Sequence, residues 1–175
     1  MKSNYVVRAR KLMNALVPYM RRYPYRIDMA VCHFNQDKHM KIECESGLIR
    51  RCIICSDYVV KWDYNNRERH RFGGCKEEYA TFQEIKKDGY AYLFAEITPI
   101  EVRGHIFYVM PRVDTLAIYL PEDESDNIED HISEDEFEYI FCDLRLSDLH
   151  NENWGMLHGK PVIFPVPSIV SKPLS

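Results

Sequence analysis

The chain has 175 residues, a length that fits one domain of ordinary size or two very small lobes. Apolar residues make up 46% and charged residues 29% of it, which is typical of a globular protein with a packed core. No run approaches about 18 consecutive apolar residues, and the N-terminus lacks the pattern of a secretory signal. We therefore expect a cytoplasmic protein that does not bind membranes.

The charge is spread unevenly along the chain. Residues 1–72 hold 15 Lys and Arg against 7 Asp and Glu, a net charge of +8, and the remainder holds 8 against 20, a net charge of −12. The acidic excess concentrates at 121–138, "PEDESDNIEDHISEDEFE", which predicts a solvated loop and helix face; a contact surface for a partner is the alternative. Because the cations of the basic half are dispersed, we do not expect nucleic acid as a partner.

The first half of the chain predicts helix and then sheet. Residues 1–38 form a predicted N-terminal helical extension, and it begins with an amphipathic helix that Pro18 would kink or end. Segments rich in β-branched and aromatic residues then predict three strands, at 39–46, 48–55 and 57–64. A polar loop at 65–74 ends in two glycines and separates this predicted sheet from the next element.

The middle of the chain predicts one helix and two strands. The segment 75–90 has helical periodicity, and Gly89 is placed as its C-terminal stop. Two strands, 91–98 and 101–110, are expected to be joined at Pro99.

A second helix is predicted over 133–146, after the acidic stretch. Ser133 and Glu136 form a capping box at its start. Its apolar stripe consists of Phe137, Ile140, Phe141 and Leu144. A turn at Gly159 and an apolar strand at 162–164 follow. The whole order predicts an α+β fold.

The six cysteines favour a reducing environment over a disulfide framework, because this is not a short secreted chain. Cys52 and Cys55, with His70 and Cys75 further along, have a spacing that zinc ligands use. Against zinc, residues three apart on a strand point to opposite faces. Buried thiols are the favoured interpretation, and zinc binding stays open.

One predicted loop carries a pattern suited to phosphoryl transfer. This reaction needs a carboxylate that takes the proton from the acceptor hydroxyl, and metal ions that neutralise the phosphate oxygens. In "LSDLHNENWG", Asp148 and Asn153 have the Asp-x-x-x-x-Asn spacing of that machinery. The alternative is that Asp148 caps a helix and Asn153 occupies a turn.

The fuller string "DLHNENWG" resembles the catalytic-loop signature of aminoglycoside-phosphotransferase-type kinases and of small bacterial or phage kinases. The resemblance implies that Asp148 is the catalytic base and that Asn153 binds the metal. It implies ATP with Mg²⁺ as the cofactor, and a phage or prophage origin.

Two upstream residues follow the same family pattern. Lys61 in "DYVVKW" resembles the lysine that positions ATP; the alternative is a lysine that guards an edge strand against aggregation. Glu78 resembles the glutamate that partners this lysine, since it shares a helix face with Phe82 and Ile85, whereas Glu77 does not. The alternative for Glu78 is a first-turn glutamate favoured by the helix dipole.

The resemblance covers about residues 40–165 and implies a minimal protein-kinase-like fold in a single domain. The N-terminal helical extension, 1–38, would precede an antiparallel β-rich small lobe at 39–113 with one main helix. A truncated helical large lobe would occupy 114–175.

Three departures from the family argue against catalysis. Pro165 stands where the metal-binding Asp is expected, and proline offers no side-chain ligand. The segment between the first two strands, expected to be Gly-rich, contains only Gly47, and Leu146 replaces the usual His or Tyr. We also expect no activation segment, because ten residues follow Pro165.

Three functions are compatible with these residues. The primary hypothesis is a kinase-like protein of phage origin that is catalytically impaired and works by binding a host or phage protein, in the host cytoplasm. The second is an active minimal ATP-dependent phosphotransferase with Asp148 as base. The third is an acidic interaction module that binds no nucleotide.

Overall fold

A computed structural model describes residues 4–46, 50–63, 74–115, 128–144 and 153–164. These residues form a mixed α/β structure with two antiparallel sheets. The helices are α1 (Asn4–Arg22), α2 (Ile27–Lys38), α3 (Cys75–Asp88) and α4 (Glu134–Glu138). The strands are β1 (Glu43–Ser46), β2 (Arg50–Ile54), β3 (Tyr58–Asp63), β4 (Thr98–Val102), β5 (His105–Pro111), β6 (Asp114–Thr115), β7 (Trp154–Leu157) and β8 (Lys160–Ile163).

The chain divides into two compact units. The first comprises residues 1–76 and 97–112, and the second comprises 77–96 and 113–175. No helix in the described ranges is both long enough and apolar enough to cross a membrane.

The first unit is built on a five-stranded antiparallel sheet in the order β1-β2-β3-β5-β4. The first three strands form a meander, and β4 and β5 form a hairpin whose second strand pairs with β3. The predicted strands at 39–46, 48–55 and 57–64 are thus confirmed, with shorter bounds. Their β-branched and aromatic residues pack well on a pleated surface.

The helices α1 and α2 cover one face of this sheet and form the core of the first unit with it. Side chains alternate along β3, so Tyr58 and Val60 enter that core and Trp62 packs against it. The buried face of α1 supplies Val6, Ala9, Leu12, Met13, Leu16 and Val17. The predicted amphipathic helix is confirmed, and the burial of its apolar stripe accounts for its stability.

Pro18 was expected to kink or end the first helix, and the second of these two expectations is wrong. Helix α1 includes Pro18 and continues to Arg22. Proline removes one backbone donor, but the helix is held by the burial of Leu16 and Val17 in the core. The break between α1 and α2 instead contains Pro24.

The strand predicted at 101–110 is confirmed in part as β5, whereas the strand predicted at 91–98 is wrong. Residues Ala91–Leu93 form a 3-10 turn, and the turn of the hairpin is at Arg103 and Gly104, which both have positive φ angles (52° and 78°). Pro99 lies inside β4 rather than between strands. Because β4 is an edge strand of the sheet, a proline there need not remove a ladder hydrogen bond.

The second unit contains the rest of α3, α4 and a three-stranded sheet in the order β6-β7-β8. The predicted stop of α3 is confirmed: the helix ends at Asp88, and Gly89 follows with φ of 93°. The helix predicted over 133–146 is shorter, since α4 ends at Glu138 and a π-helical turn, Tyr139–Asp143, follows it.

The capping box of α4 is confirmed. The Ser133 hydroxyl accepts a hydrogen bond from the Glu136 amide at 3.4 Å, and the Glu136 carboxylate accepts one from the Ser133 amide at 2.6 Å. Both contacts satisfy amides that a helix start otherwise leaves unpaired.

Replacing Ser133 with Ala is expected to lower the free energy of unfolding by about 1 kcal/mol, because the Glu136 amide loses its acceptor. Urea unfolding followed by circular dichroism measures the change. Glu134→Gln is the control on the same helix, because Glu134 is exposed and takes no part in the capping box. Equal stability of wild type and Ser133→Ala would contradict a capping role.

Candidate functional site

Lys61 lies on β3, the central strand of the five-stranded sheet. Its Cα partners are Cys52 on β2 and Tyr108 on β5. Side-chain alternation places Lys61 on the face opposite to the one covered by α1 and α2, as the core residue Val60 precedes it. The alternative of an edge-strand lysine is therefore wrong, since both neighbouring strands are paired with β3.

The face that carries Lys61 is apolar next to the lysine. Val59, two residues earlier, is opposite Ile54 and Met110 in the strand register. Met110 is buried and Tyr108 is 9% exposed, whereas Lys61 itself is half-buried. This places a cation beside apolar side chains, an environment in which its charge acts more strongly than in water.

The thiol of Cys52 stands across from Lys61. Burial, and then the negative charge of Glu45, raises the pKa of the Cys52 thiol, while the charge of Lys61 acts in the opposite direction. The thiol form therefore prevails at neutral pH. Because the Cys52 thiol is uncharged, it does not neutralise the charge of Lys61.

Asp63 fixes the end of β3. Its Oδ1 accepts a hydrogen bond from the amide of Cys75, the first residue of α3, at 2.7 Å. A Cβ atom at Gly74 would lie 2.6 Å from the same oxygen, so any larger residue there would displace the Asp63 carboxylate. This contact was not predicted from the sequence, because the two residues are 12 positions apart.

Glu78 lies in the first turn of α3 and is 1% exposed. Phe82 and Ile85 on the same helix face are also buried, whereas Glu77 is exposed. The prediction that Glu78, not Glu77, faces inward is thus confirmed. In the described ranges no buried side-chain oxygen or nitrogen lacks a hydrogen-bond partner, so the Glu78 carboxylate is not left unsatisfied.

Asn153 begins the β7–β8 hairpin. Its backbone carbonyl accepts a hydrogen bond from the Phe164 amide at 2.7 Å, which closes the open end of the hairpin. At the other end, His158 and Gly159 both have positive φ angles, 53° and 76°, the requirement of a tight two-residue hairpin turn. The predicted turn at Gly159 is thus confirmed.

Of the four predicted site residues, Lys61 belongs to the first unit, and Glu78 and Asn153 belong to the second. Asp148 lies outside the described residues, as do Pro165, Gly47 and Leu146. The roles of all four residues remain predictions.

The zinc hypothesis involves residues from two faces of one sheet. Cys55 is part of the core under α1 and α2, whereas Cys52 lies on the Lys61 face, as the strand periodicity predicted. The six cysteines are all described, and each is a free thiol. His70 lies outside the described residues. Among residues that are described, no three His, Cys, Asp or Glu side chains cluster as metal ligands.

Aromatic side chains in the second unit tie α4 and the π-helical turn to the segment that follows α3. The rings of Tyr90 and Tyr139 stack with centroids 3.9 Å apart, and the Tyr139 hydroxyl donates to Asp88 at 2.9 Å. The Tyr92 hydroxyl donates to Glu136 at 2.7 Å, so the capping glutamate has a second role. Burial, followed by the bond to Asp88, raises the pKa of Tyr139.

The hydrogen bond to Glu136, followed by burial, raises the pKa of Tyr92 to about 12. A tyrosine in the unfolded chain has a pKa of about 10. The stabilisation from this hydrogen bond is therefore complete below about pH 10 and is lost as the pH rises through the pKa of Tyr92 in the folded protein. In the Tyr92→Phe variant, absorbance titration of tyrosine ionisation is expected to show one fewer tyrosine with a raised pKa. In Glu136→Gln that group is expected to titrate earlier, because the carboxylate charge is gone. An unchanged titration in both variants would contradict the contact.

The comparisons with known proteins leave the family undecided. No protein-family model matches this chain, and no solved structure matches it.

Proposed function

We propose that this chain is a kinase-like protein, of phage origin, that keeps a nucleotide-binding small lobe, is impaired in phosphoryl transfer, and acts by binding a partner protein in the host cytoplasm. The proposal is supported by the positions of two residues, each on the element where a kinase would carry it. Lys61 lies on the central strand of an antiparallel sheet, and a buried glutamate, Glu78, lies on the helix inserted between the third and fourth strands. Protein kinases use a lysine and a glutamate on those two elements to position ATP.

The order of the other elements supports the same proposal. Three strands, a helix and two further strands precede a connector, a short helix, and the hairpin that Asn153 begins. This order is the one that the resemblance implies for a small lobe followed by the first elements of a large lobe. The string "DLHNENWG" leads directly into that hairpin.

Impairment is inferred from the metal ligands. With Pro165 in place of the expected Asp, Asn153 is the remaining family ligand, and an amide brings no formal charge to Mg²⁺. Metal ions and the general base each contribute several kcal/mol to lowering the barrier. Adenine burial and the contact with Lys61 do not require the missing carboxylate, so nucleotide binding is expected to survive.

A protein partner is inferred from the acidic segment. In its described part, the exposed residues Glu134, Asp135 and Glu138 form an acidic surface on α4. Such a surface suits a basic patch on a host or phage protein.

The second candidate is an active minimal phosphotransferase, and the intact Asp148 with its "DLHNEN" context favours it. The third, an interaction module without nucleotide, needs only the acidic surface of α4.

Incubation with radiolabelled ATP, Mg²⁺ or Mn²⁺, and a mixture of protein and small-molecule acceptors separates the candidates. We expect transfer at or near background, with no difference between wild type and Asp148→Ala. Transfer by wild type that disappears in Asp148→Ala would overturn the proposed impairment and establish the active enzyme. Asn151→Ala is the matched control, because Asn151 stands at one of the variable positions between Asp148 and Asn153 in the Asp-x-x-x-x-Asn spacing.

A further inference from the structure

The first unit contains a groove of about 630 Å³ that none of the predicted site residues lines. It is formed by α1, by the end of α2 and the segment after it, and by the turn between β2 and β3. Its lining residues are Arg8, Lys11, Leu12, Ala15, Phe34, Lys38, Met40, Lys41, Ile42, Cys55, Ser56 and Tyr58. Its volume falls in the range of pockets that hold small molecules.

The floor and the rim of the groove differ in character. Leu12, Phe34, Ile42 and Tyr58 are buried side chains of the core and present an apolar floor. The rim carries the four cations Arg8, Lys11, Lys38 and Lys41, and no carboxylate is among the lining residues. These cations are dispersed in the sequence, because the first and the last of them are 33 positions apart.

Little of this positive charge is neutralised. Arg8 is paired with Asp57 and lies over the ring of Tyr58, 5.5 Å from its centroid. Lys11, Lys38 and Lys41 are exposed, and none of them forms an ion pair with another described residue. A lysine at position 38 is favoured by the helix dipole, because it lies in the last turn of α2. The dipole of α2 gives no such reason for a lysine at position 11 or 41.

The backbone that presents Lys41 is held in place. The Asn35 side chain donates to the carbonyl of Ile42 at 2.8 Å and accepts from the amide of Ile42 at 3.2 Å. His39 caps α2 in the left-handed conformation, with φ of 52°. The wall of the groove after α2 is thus built by specific contacts, so its shape exists before any ligand arrives.

We propose that this groove binds a small molecule that combines an apolar body with an anionic head group. The apolar floor would take the body, and the uncompensated lysines of the rim would take a carboxylate, sulfate or phosphate. This site is separate from the proposed nucleotide site, since Tyr58 and Cys55 belong to the core face of the sheet and Lys61 to the other.

Octyl phosphate is the probe that tests both halves of the site, with inorganic phosphate and the neutral octyl glucoside as matched partial ligands. Titration followed by amide chemical shifts is expected to show saturable binding of octyl phosphate, at least about tenfold tighter than either partial ligand. The largest shifts are expected at Leu12, Ala15 and Ile42. Binding of octyl phosphate no tighter than octyl glucoside would overturn the proposal.

Three variants locate the binding. The triple variant Lys11→Gln, Lys38→Gln, Lys41→Gln is expected to weaken octyl phosphate binding by about tenfold or more. Ala15→Trp is expected to block it while every charge stays, because Ala15 is an exposed lining residue. The control triple Lys76→Gln, Lys86→Gln, Lys87→Gln makes the same change in net charge on exposed residues of α3.

The control triple is expected to bind octyl phosphate as wild type does. Equal weakening in the two triples would show a nonspecific charge effect and overturn the site, and so would undiminished binding by Ala15→Trp. Thermal unfolding of each variant confirms that the compared proteins are folded.

Discussion

Replacing Trp154 with Ala is expected to lower the free energy of unfolding by about 3–5 kcal/mol, the cost of deleting a large buried aromatic side chain. Trp154 is fully buried at the start of β7, and its Cα partner on β8, Ile163, is fully buried too. Its ring also contacts His131, with the centroids 5.4 Å apart. A loss of this size is a large part of the stability of an ordinary domain.

Hydrogen exchange read by mass spectrometry tests this prediction segment by segment. Amides of β7 and β8 are expected to exchange faster in Trp154→Ala than in wild type. The control is Tyr25→Ala, since Tyr25 is 78% exposed, and it is expected to change stability by less than about 0.5 kcal/mol. Unchanged exchange of β7 and β8 in Trp154→Ala would contradict the packing described for this hairpin.

Replacing Lys61 with Ala is expected to weaken ATP and ADP binding by about tenfold to a hundredfold, under the proposed function. Charge-assisted contacts between a lysine and phosphate oxygens contribute about 1.5–3 kcal/mol each. Lys61 is half-buried on the central strand, where its Cα partners are Tyr108 and Cys52. Because the strands pair through their backbones, removal of the side chain leaves the sheet register intact.

Isothermal calorimetry of wild type and Lys61→Ala measures this loss. Lys86→Ala is the control, because Lys86 is exposed in the last turn of α3 and lies outside the proposed site. The groove triple Lys11→Gln, Lys38→Gln, Lys41→Gln is measured beside it, as ATP also carries an apolar base and anionic phosphates. Affinity lost in that triple and kept in Lys61→Ala would place the nucleotide in the groove and refute the proposed role of Lys61.

The parts of the fold that sequence predicts well are those in which local pattern and tertiary packing agree. The periodicity of α3 placed Glu78 on the buried face, and Gly89 marked the end of that helix. The capping box of α4 was predictable because Ser133 and Glu136 contact each other within one turn.

The errors arose where tertiary structure overrides a local rule. Pro18 does not end α1 because the core holds the helix, and Pro99 is accommodated because its strand lies at the sheet edge. The basic groove was not predictable, since its cations come together only when the segment after α2 folds against α1. Asp63 was missed for the same reason, as its partner amide is 12 residues away.

Under the proposed function, this chain keeps a working nucleotide site without the usual metal site. The most direct test is calorimetric titration of the wild-type protein with ATP and ADP, with and without Mg²⁺ or Mn²⁺. We expect measurable binding that changes little when the metal is added. Absence of binding under every condition would refute the nucleotide site, and strong enhancement by metal would refute the inferred loss of the metal site.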